Sequence, residues 1–317
     1  MSGLFVQKHV EALCAQGCEV RVIFSQGWRD TWRQWCALRR EGWMPDIVQL
    51  NVIQKQGLLA LWLKKKYGIP YVIIEHWTGY LPENPVVKAH GWHTRLMQRI
   101  CREAEVVMPV SEQLMKAMQA LGFCAKRWEK IDNVVDDFFF ESTDRFADRA
   151  QSTDRITQKT LLNITCFDEP HKNVKGLLRA AKMLSEKRQD WRLVLVGTGI
   201  DYEEVRAYAD TLQIPDGLLE WTGELTPREV ADRMHEADAF VLSSRYETYG
   251  VVLAEAVAAG LPILSTPVGI AEEVADLIVP QEIAQNKPGT FAEFIETILW
   301  KTTIKNQKSK ISLRLRQ

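Results

Sequence analysis

The stretch that most restricts what this chain can fold into is residues 243–267, SSRYETYGVVLAEAVAAGLPILSTP. A fully apolar run, residues 239–242, precedes it and reads as a short buried strand; the alternation of apolar and small residues that follows suits a helix. A strand, a loop and a helix start are thus predicted in direct succession. Glu247 and Glu255 stand eight residues apart, with Gly250 between them where the loop turns into the helix. A helix beginning there leaves the amides of Val251, Val252 and Leu253 without partners inside the helix and presents the positive end of its dipole. A phosphate suits such a position.

The rest of the chain alternates in the same manner. Residues 5–15 carry helical spacing, 19–24 a strand pattern, 46–52 a second strand and 58–67 a helix that ends in Lys64, Lys65 and Lys66. The apolar strand 71–74 delivers Glu75, His76 and Trp77 to its carboxyl end, where open α/β sheets collect ligand-binding groups. A helix at 90–102, a strand at 105–109, a helix capped by Ser111 and a strand end at 130–135 bearing Asn133 follow. Residues 144–158 are polar, charged and poor in large apolar side chains, the composition of a linker.

A second alternating series then runs through strands at 161–167, 192–196, 219–222, 239–242 and 261–265, with helices between them. At 317 residues the chain exceeds one ordinary core. The predicted division is a first domain over 1–145, a linker over 146–158, a second domain over 159–300 and a basic disordered tail over 301–317. Its fold class is α/β, two doubly wound Rossmann-like domains facing across a cleft.

Composition serves mainly to exclude. A net charge of −1 gives no global drive towards nucleic acid. No apolar run is long enough to cross a bilayer and no charged-then-apolar leader opens the chain, so the expected location is the cytosol. Cys14, Cys18, Cys36, Cys101, Cys124 and Cys166 form no CxxC pair and have no companion histidines, which argues for reduced, mostly buried thiols rather than a zinc site. No D-x-D pair suited to a divalent cation occurs; Glu236-Ala-Asp238, the nearest approach, precedes a buried strand.

The residues of the opening stretch resemble those of the family 4 retaining glycosyltransferases, which have the two-domain GT-B fold. Glu247 and Glu255 match that family's E-x7-E motif, and Ser244, Gly250, Ala256, Gly260, Pro262 and Thr266 fall at its flanking positions. Weaker agreement covers most of the chain: Lys172 after Phe167, Gly197 and Gly199 in a V-G-x-G turn, Gly223, Ser111 in V-S-E, and Asn133. Two departures stand out. Cys166, Phe167 and Asp168 occupy the region where many relatives carry an arginine that pairs with the lysine on the donor diphosphate, leaving Lys175 as a substitute. The family's first strand and glycine-rich loop, and its final helix, have no counterpart, so the resemblance implies a chain trimmed at both ends.

The resemblance implies transfer of a sugar from a UDP- or GDP-linked donor to a saccharide or lipid-linked acceptor, with retention, in bacterial cell-surface polysaccharide or lipopolysaccharide synthesis. Positive groups placed in advance around the leaving diphosphate speed such a reaction. Lys172 and the amides of residues 250–253 are the candidates for that service. Glu255 would accept the ribose hydroxyls and Glu247 would fix the donor sugar. His76 would touch the donor sugar or serve the acceptor side with Trp77, Ser111 and Asn133; helix capping competes as the role of Ser111, and a turn as that of Asn133. Gly197 and Gly199 lack the third glycine of a dinucleotide fingerprint, Tyr202 standing in its place, and are read as a tight turn lining the nucleoside pocket. No cofactor and no metal are expected. An incomplete, non-catalytic nucleotide binder and a nucleotide-sugar 2-epimerase of the same fold remain as alternatives.

Residues 27–43 place Trp28, Trp32 and Trp35 on one helical face among Arg29, Arg33, Arg39 and Arg40. That composition suits peripheral contact with anionic lipid at the inner membrane surface. Core packing is the competing fate of such a stripe.

Overall fold

The structure, a computed structural model, describes residues 4–24, 27–87, 91–141 and 158–301. All of the predicted linker except Gln158, and the basic tail beyond Lys301, lie outside the described residues. The chain divides into two compact units, Met1–Asn133 and Val134–Gln317. The division precedes the predicted boundary at 145 because the segment after Asn133 packs with the second unit. Phe139 is buried in the 3-10 turn Asp137–Phe140, its carbonyl oxygen lies 3.3 Å from His235 Nε2, and Glu141 pairs with Arg228 at 2.7 Å.

The first unit runs α1 (Leu4–Ala15), α2 (Trp28–Arg40), β1 (Val48–Asn51), α3 (Gly57–Tyr67), β2 (Tyr71–Glu75), α4 (Trp92–Glu103), β3 (Val106–Pro109) and α5 (Glu112–Ala120). Its three strands are parallel in the order β1-β2-β3. The strand predicted at 19–24 does not form. A strand needs a neighbour to take its backbone groups, and among the described residues none pairs with 19–24; Val22 and Phe24 are exposed. Nor do residues 130–135 form a strand. The chain only skirts β3, with a single bridge between Val107 and Trp128 and a bond from Ile131 N–H to the Pro109 carbonyl at 3.1 Å.

The tryptophan stripe of α2 splits. Trp35 is buried against Leu59, Leu63 and Ile69, whereas Trp28 and Trp32 stay 43% and 38% exposed. Trp28 stacks on Trp32 at 6.1 Å, and Trp32 meets the edge of Trp62 at 5.1 Å. The cysteines depart from expectation as well. Only Cys101 is buried, while Cys14, Cys18, Cys124 and Cys166 are exposed, because they fall in loops or on solvent-facing helix positions.

The second unit holds β4 (Lys159–Ile164), α6 (Glu169–Lys172), α7 (Val174–Ser185), β5 (Trp191–Val196), α8 (Tyr202–Thr211), β6 (Leu219–Gly223), α9 (Pro227–Glu236), β7 (Ala239–Leu242), α10 (Val251–Ala258), β8 (Ile263–Ser265), α11 (Ala271–Val274), β9 (Leu277–Ile278), α12 (Gln281–Asn286) and α13 (Pro288–Glu296). Its six strands are parallel in the order β6-β5-β4-β7-β8-β9. Strands buried on both faces read as continuous apolar runs, as AFVL of β7 does. One core joins Leu177 and Leu184 of α7, Trp191 and Leu195 of β5, Val241 of β7 and Phe291 of α13. The order reverses between β4 and β7. Chain leaving their carboxyl ends therefore turns to opposite faces of the sheet and opens a crevice, the place where doubly wound sheets bind ligands.

Candidate functional site

The residues that follow β4 and β7 meet at that crevice. After β4, Cys166 stays exposed and Phe167 turns into the core, against Tyr202 at 4.9 Å and Trp221 at 5.8 Å. A buried aromatic thus occupies the loop where an arginine was sought. The single helical turn α6 follows and ends at Asn173, whose φ of 52° and ψ of 41° break the helix before α7 begins. Lys172, the last residue of α6, reaches across to the β7 loop, where its Nζ lies 2.5 Å from Glu247 Oε1. Ser244 Oγ donates to that same oxygen at 2.8 Å.

His171 completes the cluster. Its ring stacks on Tyr246 at 4.2 Å and 10°, its Nε2–H donates to the Tyr246 carbonyl at 2.6 Å, and it lies 3.8 Å from Glu247 Oε2. Burial, and then the Lys172 ammonium, push its pKa below the ordinary histidine value. The imidazole is accordingly held neutral. Burial likewise pushes the Tyr246 phenol up.

Beyond Glu247 the chain turns at Gly250, whose φ of 77° lies in the left-handed region that favours glycine, and α10 starts at Val251 as predicted. One expectation needs correcting. Leu253 N–H is not open to a ligand, because it donates to the Gly250 carbonyl at 2.9 Å and tightens the first turn. Among the described residues no backbone carbonyl takes the amides of Val251 or Val252. Glu255 lies half-buried one turn further along α10.

The loop after β5 brings Gly197 and Gly199 against the loop after β4. Thr165 N–H donates to the Val196 carbonyl, Phe167 N–H to the Thr198 carbonyl and Asp201 N–H to the Phe167 carbonyl, at 3.0, 3.0 and 2.9 Å. Lys175, by contrast, is taken elsewhere. On α7 its ammonium lies 2.5 Å from Glu204 Oε1, so it is no partner for Lys172. The sequence reading gave no role to His171, Asn173, Arg245 or Gln281; Gln281 Nε2 donates to the carbonyls of Ser244 and Arg245 at 2.8 and 3.0 Å. Asparagine's tolerance of the left-handed region was the one signal that marks Asn173.

The first unit holds the remaining candidates. His76 and Trp77 follow β2, and both their N–H groups donate to Glu75 Oε1 at 3.0 Å. Glu75 is wholly buried; its Oε2 accepts from Ile53 N–H and from the Tyr80 hydroxyl, each at 2.9 Å. Burial raises its pKa against the pull of these four donors. Burial, and then His9, lower that of His76. Ser111 Oγ accepts from Leu114 N–H at 3.2 Å and caps α5. Asn133 is buried at the unit's last position.

A parallel sheet of this order, with a cation and a helix start converging at its switch point, defines a doubly wound nucleotide- or phosphate-binding class. Residues 144–310 match the family Glycosyl transferases group 1, and residues 27–133 match a Glycosyl transferase 4-like domain. The chain belongs to the glycosyl transferases of group 1.

Among curated relatives, D-inositol 3-phosphate glycosyltransferase of Segniliparus rotundus is 24% identical over 75% of this chain and 56% of its own length. Lipopolysaccharide 1,6-galactosyltransferase of Escherichia coli is 30% identical over 40% of this chain and 34% of its own. The chain thus spans about half, or less, of the curated relatives it matches. Among solved structures, Anabaena HepE in complex with UDP and glucose superposes with a TM-score of 0.70 at 18% identity, over 96% of this chain and 84% of that one. Sucrose-phosphate synthase from Thermosynechococcus elongatus gives 0.67 at 19% identity, over 90% and 72%. The fold is GT-B.

Proposed function

We propose that the chain transfers a hexose-like sugar, with retention of configuration, from a UDP- or GDP-linked donor to a saccharide or lipid-linked acceptor in bacterial cell-surface polysaccharide or lipopolysaccharide synthesis. The observation that carries this reading is the Lys172–Glu247 pair at the switch point, beside the start of α10. Lys172 has three N–H donors and spends one on Glu247, leaving others for a diphosphate. Charge grows on that diphosphate as the bond to the sugar breaks, so a cation and the amides of Val251 and Val252, fixed beforehand, favour the transition state over the bound donor. These groups do the work of a divalent cation, and turnover in excess chelator is expected to equal that in its absence.

Glu247 accepts from donor-sugar hydroxyls, and Glu255 from the ribose. Gly197 and Gly199 line the nucleoside pocket. His76 serves the sugar or the acceptor, with Trp77 and Asn133 beside the acceptor; for Ser111 the capping bond from Leu114 N–H accounts for its place at the start of α5. The two relatives named above act, by their names, on an inositol phosphate and a lipopolysaccharide, which supports an acceptor of polar-lipid or saccharide type. Peripheral contact with anionic lipid through residues 27–43 is drawn from Trp28, Trp32 and the neighbouring arginines; no described helix is long and apolar enough to cross a membrane. Flotation with anionic vesicles, lost on replacing Trp28 and Trp32 by serine, tests that contact.

The test of the whole reading is a pool of nucleotide sugars and acceptors followed by mass spectrometry. A transferred hexose, lost in Lys172→Ala and Glu247→Ala, supports it. Nucleotide binding without transfer would favour a non-catalytic binder, and conversion of the donor without acceptor an epimerase.

A further inference from the structure

We propose that Arg245 is a positioning residue for the donor diphosphate: from the β7 loop it clamps the 169–173 turn in the shape that presents Lys172, without touching the ligand. This rests on the nucleotide-sugar reading above. Ser244 gives its hydroxyl to Glu247, and Arg245 gives its guanidinium to the 169–173 turn. There Nη1 donates to the Glu169 carbonyl and Nη2 to Asn173 Oδ1, the latter at 3.1 Å.

Asn173 is the hinge of this arrangement. It is fully buried in a left-handed conformation, and its Nδ2 donates to the Ala284 carbonyl at 3.3 Å, which fixes the orientation of the amide and aims Oδ1 at Arg245. The neighbouring peptides are held from the same loop. Arg245 N–H donates to the His171 carbonyl at 2.8 Å, and Ser243 Oγ to the Lys172 carbonyl at 3.0 Å. Lys172 therefore leaves a backbone gripped on both sides of it. A cation fixed in this way loses less freedom when a phosphate arrives.

The surroundings of Arg245 argue against a second role as a direct phosphate ligand. It lines a cavity of about 380 Å³ whose other walls are Glu169, Pro170, Asp201 and Glu204. With Glu204 paired to Lys175, the carboxylates of Glu169 and Asp201 still outweigh Arg245 and disfavour a diphosphate on that side, and Glu169 Oε1 already lies 3.9 Å from Nη2. Two of the guanidinium's N–H donors are thus spent on its own protein, and the Glu169 carboxylate faces its charge. The arginine sought beside Lys172 in the sequence is thus replaced by one that acts through the backbone.

Calorimetric titration of UDP, GDP, uridine and guanosine into the full chain tests this. In Arg245→Ala, and independently in Asn173→Gly, which keeps the left-handed turn but removes the amide, diphosphate affinity is expected to fall about tenfold, the scale of one lost hydrogen bond to a charged group. Nucleoside affinity is expected to stay at the wild-type value. Arg245→Ala added to Lys172→Ala is expected to cost nothing further, since the arginine acts only through that lysine. Additive loss in the double variant would mean that Arg245 contacts the phosphate itself, and equal loss for nucleoside and diphosphate would mean a general structural role; either overturns the proposal. Unchanged diphosphate binding in Arg245→Ala overturns it alone, whereas a wild-type chain that binds neither UDP nor GDP overturns the nucleotide-sugar reading with it.

Discussion

Lys172 Nζ and Glu247 Oε1 meet at 2.5 Å across 75 residues of sequence, with both side chains only 13% exposed. Each is the other's neutralising partner, so removing one strands a charge where water reaches poorly. Lys172→Ala and Glu247→Ala are each expected to lose about 1–3 kcal/mol of stability, the cost of an unsatisfied charged or polar group. The double variant is expected to lose less than the sum. Urea unfolding of the three variants measures this, and strict additivity would show that the pair contributes nothing in the unliganded chain.

The turn after β5 is closed against backbone, not side chains. A Cβ on Gly197, at φ 120°, would stand 1.9 Å from the Thr165 carbonyl oxygen, a contact that no rotamer change relieves. Gly197→Ala is expected to lose about 2 kcal/mol or more, from overpacking and strained backbone together. Gly217 also has a positive φ, 81°, but nothing within 4 Å of its Cβ position, so Gly217→Ala shows the conformational cost without the contact and is expected to lose about 1 kcal/mol. Thermal melts of the two should separate by several degrees. Equal shifts would mean that the contact with Thr165 is not the constraint.

How much of this could be read from sequence differs by residue, for physical reasons. The strand at 239–242, the left-handed Gly250 and the helix start at Val251 were legible because all three are local, and period and steric rules see local features. Arg245 and Asn173 lie 72 residues apart, and what joins them is a hydrogen bond made only after the sheet order has formed. The 19–24 segment failed for the same reason in reverse. Its alternation was correct for a strand, but pairing is a property of the neighbour. Lys175 was drawn to Glu204 by a charge on another helix, and Trp35 separated from Trp28 and Trp32 because α3 covers one side of α2, which no helical wheel of α2 alone reveals.

His171 makes a pH-dependent contribution whose sign is set by its lowered pKa. The unfolded chain takes up a proton near 6.5 while the folded chain resists, so the unfolded state binds more protons in that window. The stability contributed by neutral His171 is present above 6.5 and is lost as pH falls through the lowered value. His171→Gln has no proton to gain. Its melting temperature is expected to fall less than that of the wild type between about pH 7.5 and 5.5, the range bracketing an ordinary histidine. Parallel curves would remove His171 from the account.

Glu75 gives the opposite sign, and its case is the most exposed to test because four donors converge on one buried carboxyl group. Burial dominates, and its pKa lies above the ordinary 4.5 despite Ile53, Trp77, Tyr80 and His76 donating to it. The folded state then holds the Glu75 proton more tightly than the unfolded state, so this group's stability is present below 4.5 and is lost as pH rises through the raised value. Glu75→Gln keeps the shape of the side chain and has no proton to release, so the stability difference between wild type and variant is expected to shrink as pH rises from 4.5 towards neutrality. Tyr80→Phe removes one donor that favours the charged form; the Glu75 pKa should rise further, and the wild-type pH dependence should steepen. Denaturant unfolding across this range, on all three proteins, measures the slopes. A difference that widens with pH in Glu75→Gln, or a shallower slope in Tyr80→Phe, would mean that the hydrogen bonds outweigh burial at Glu75.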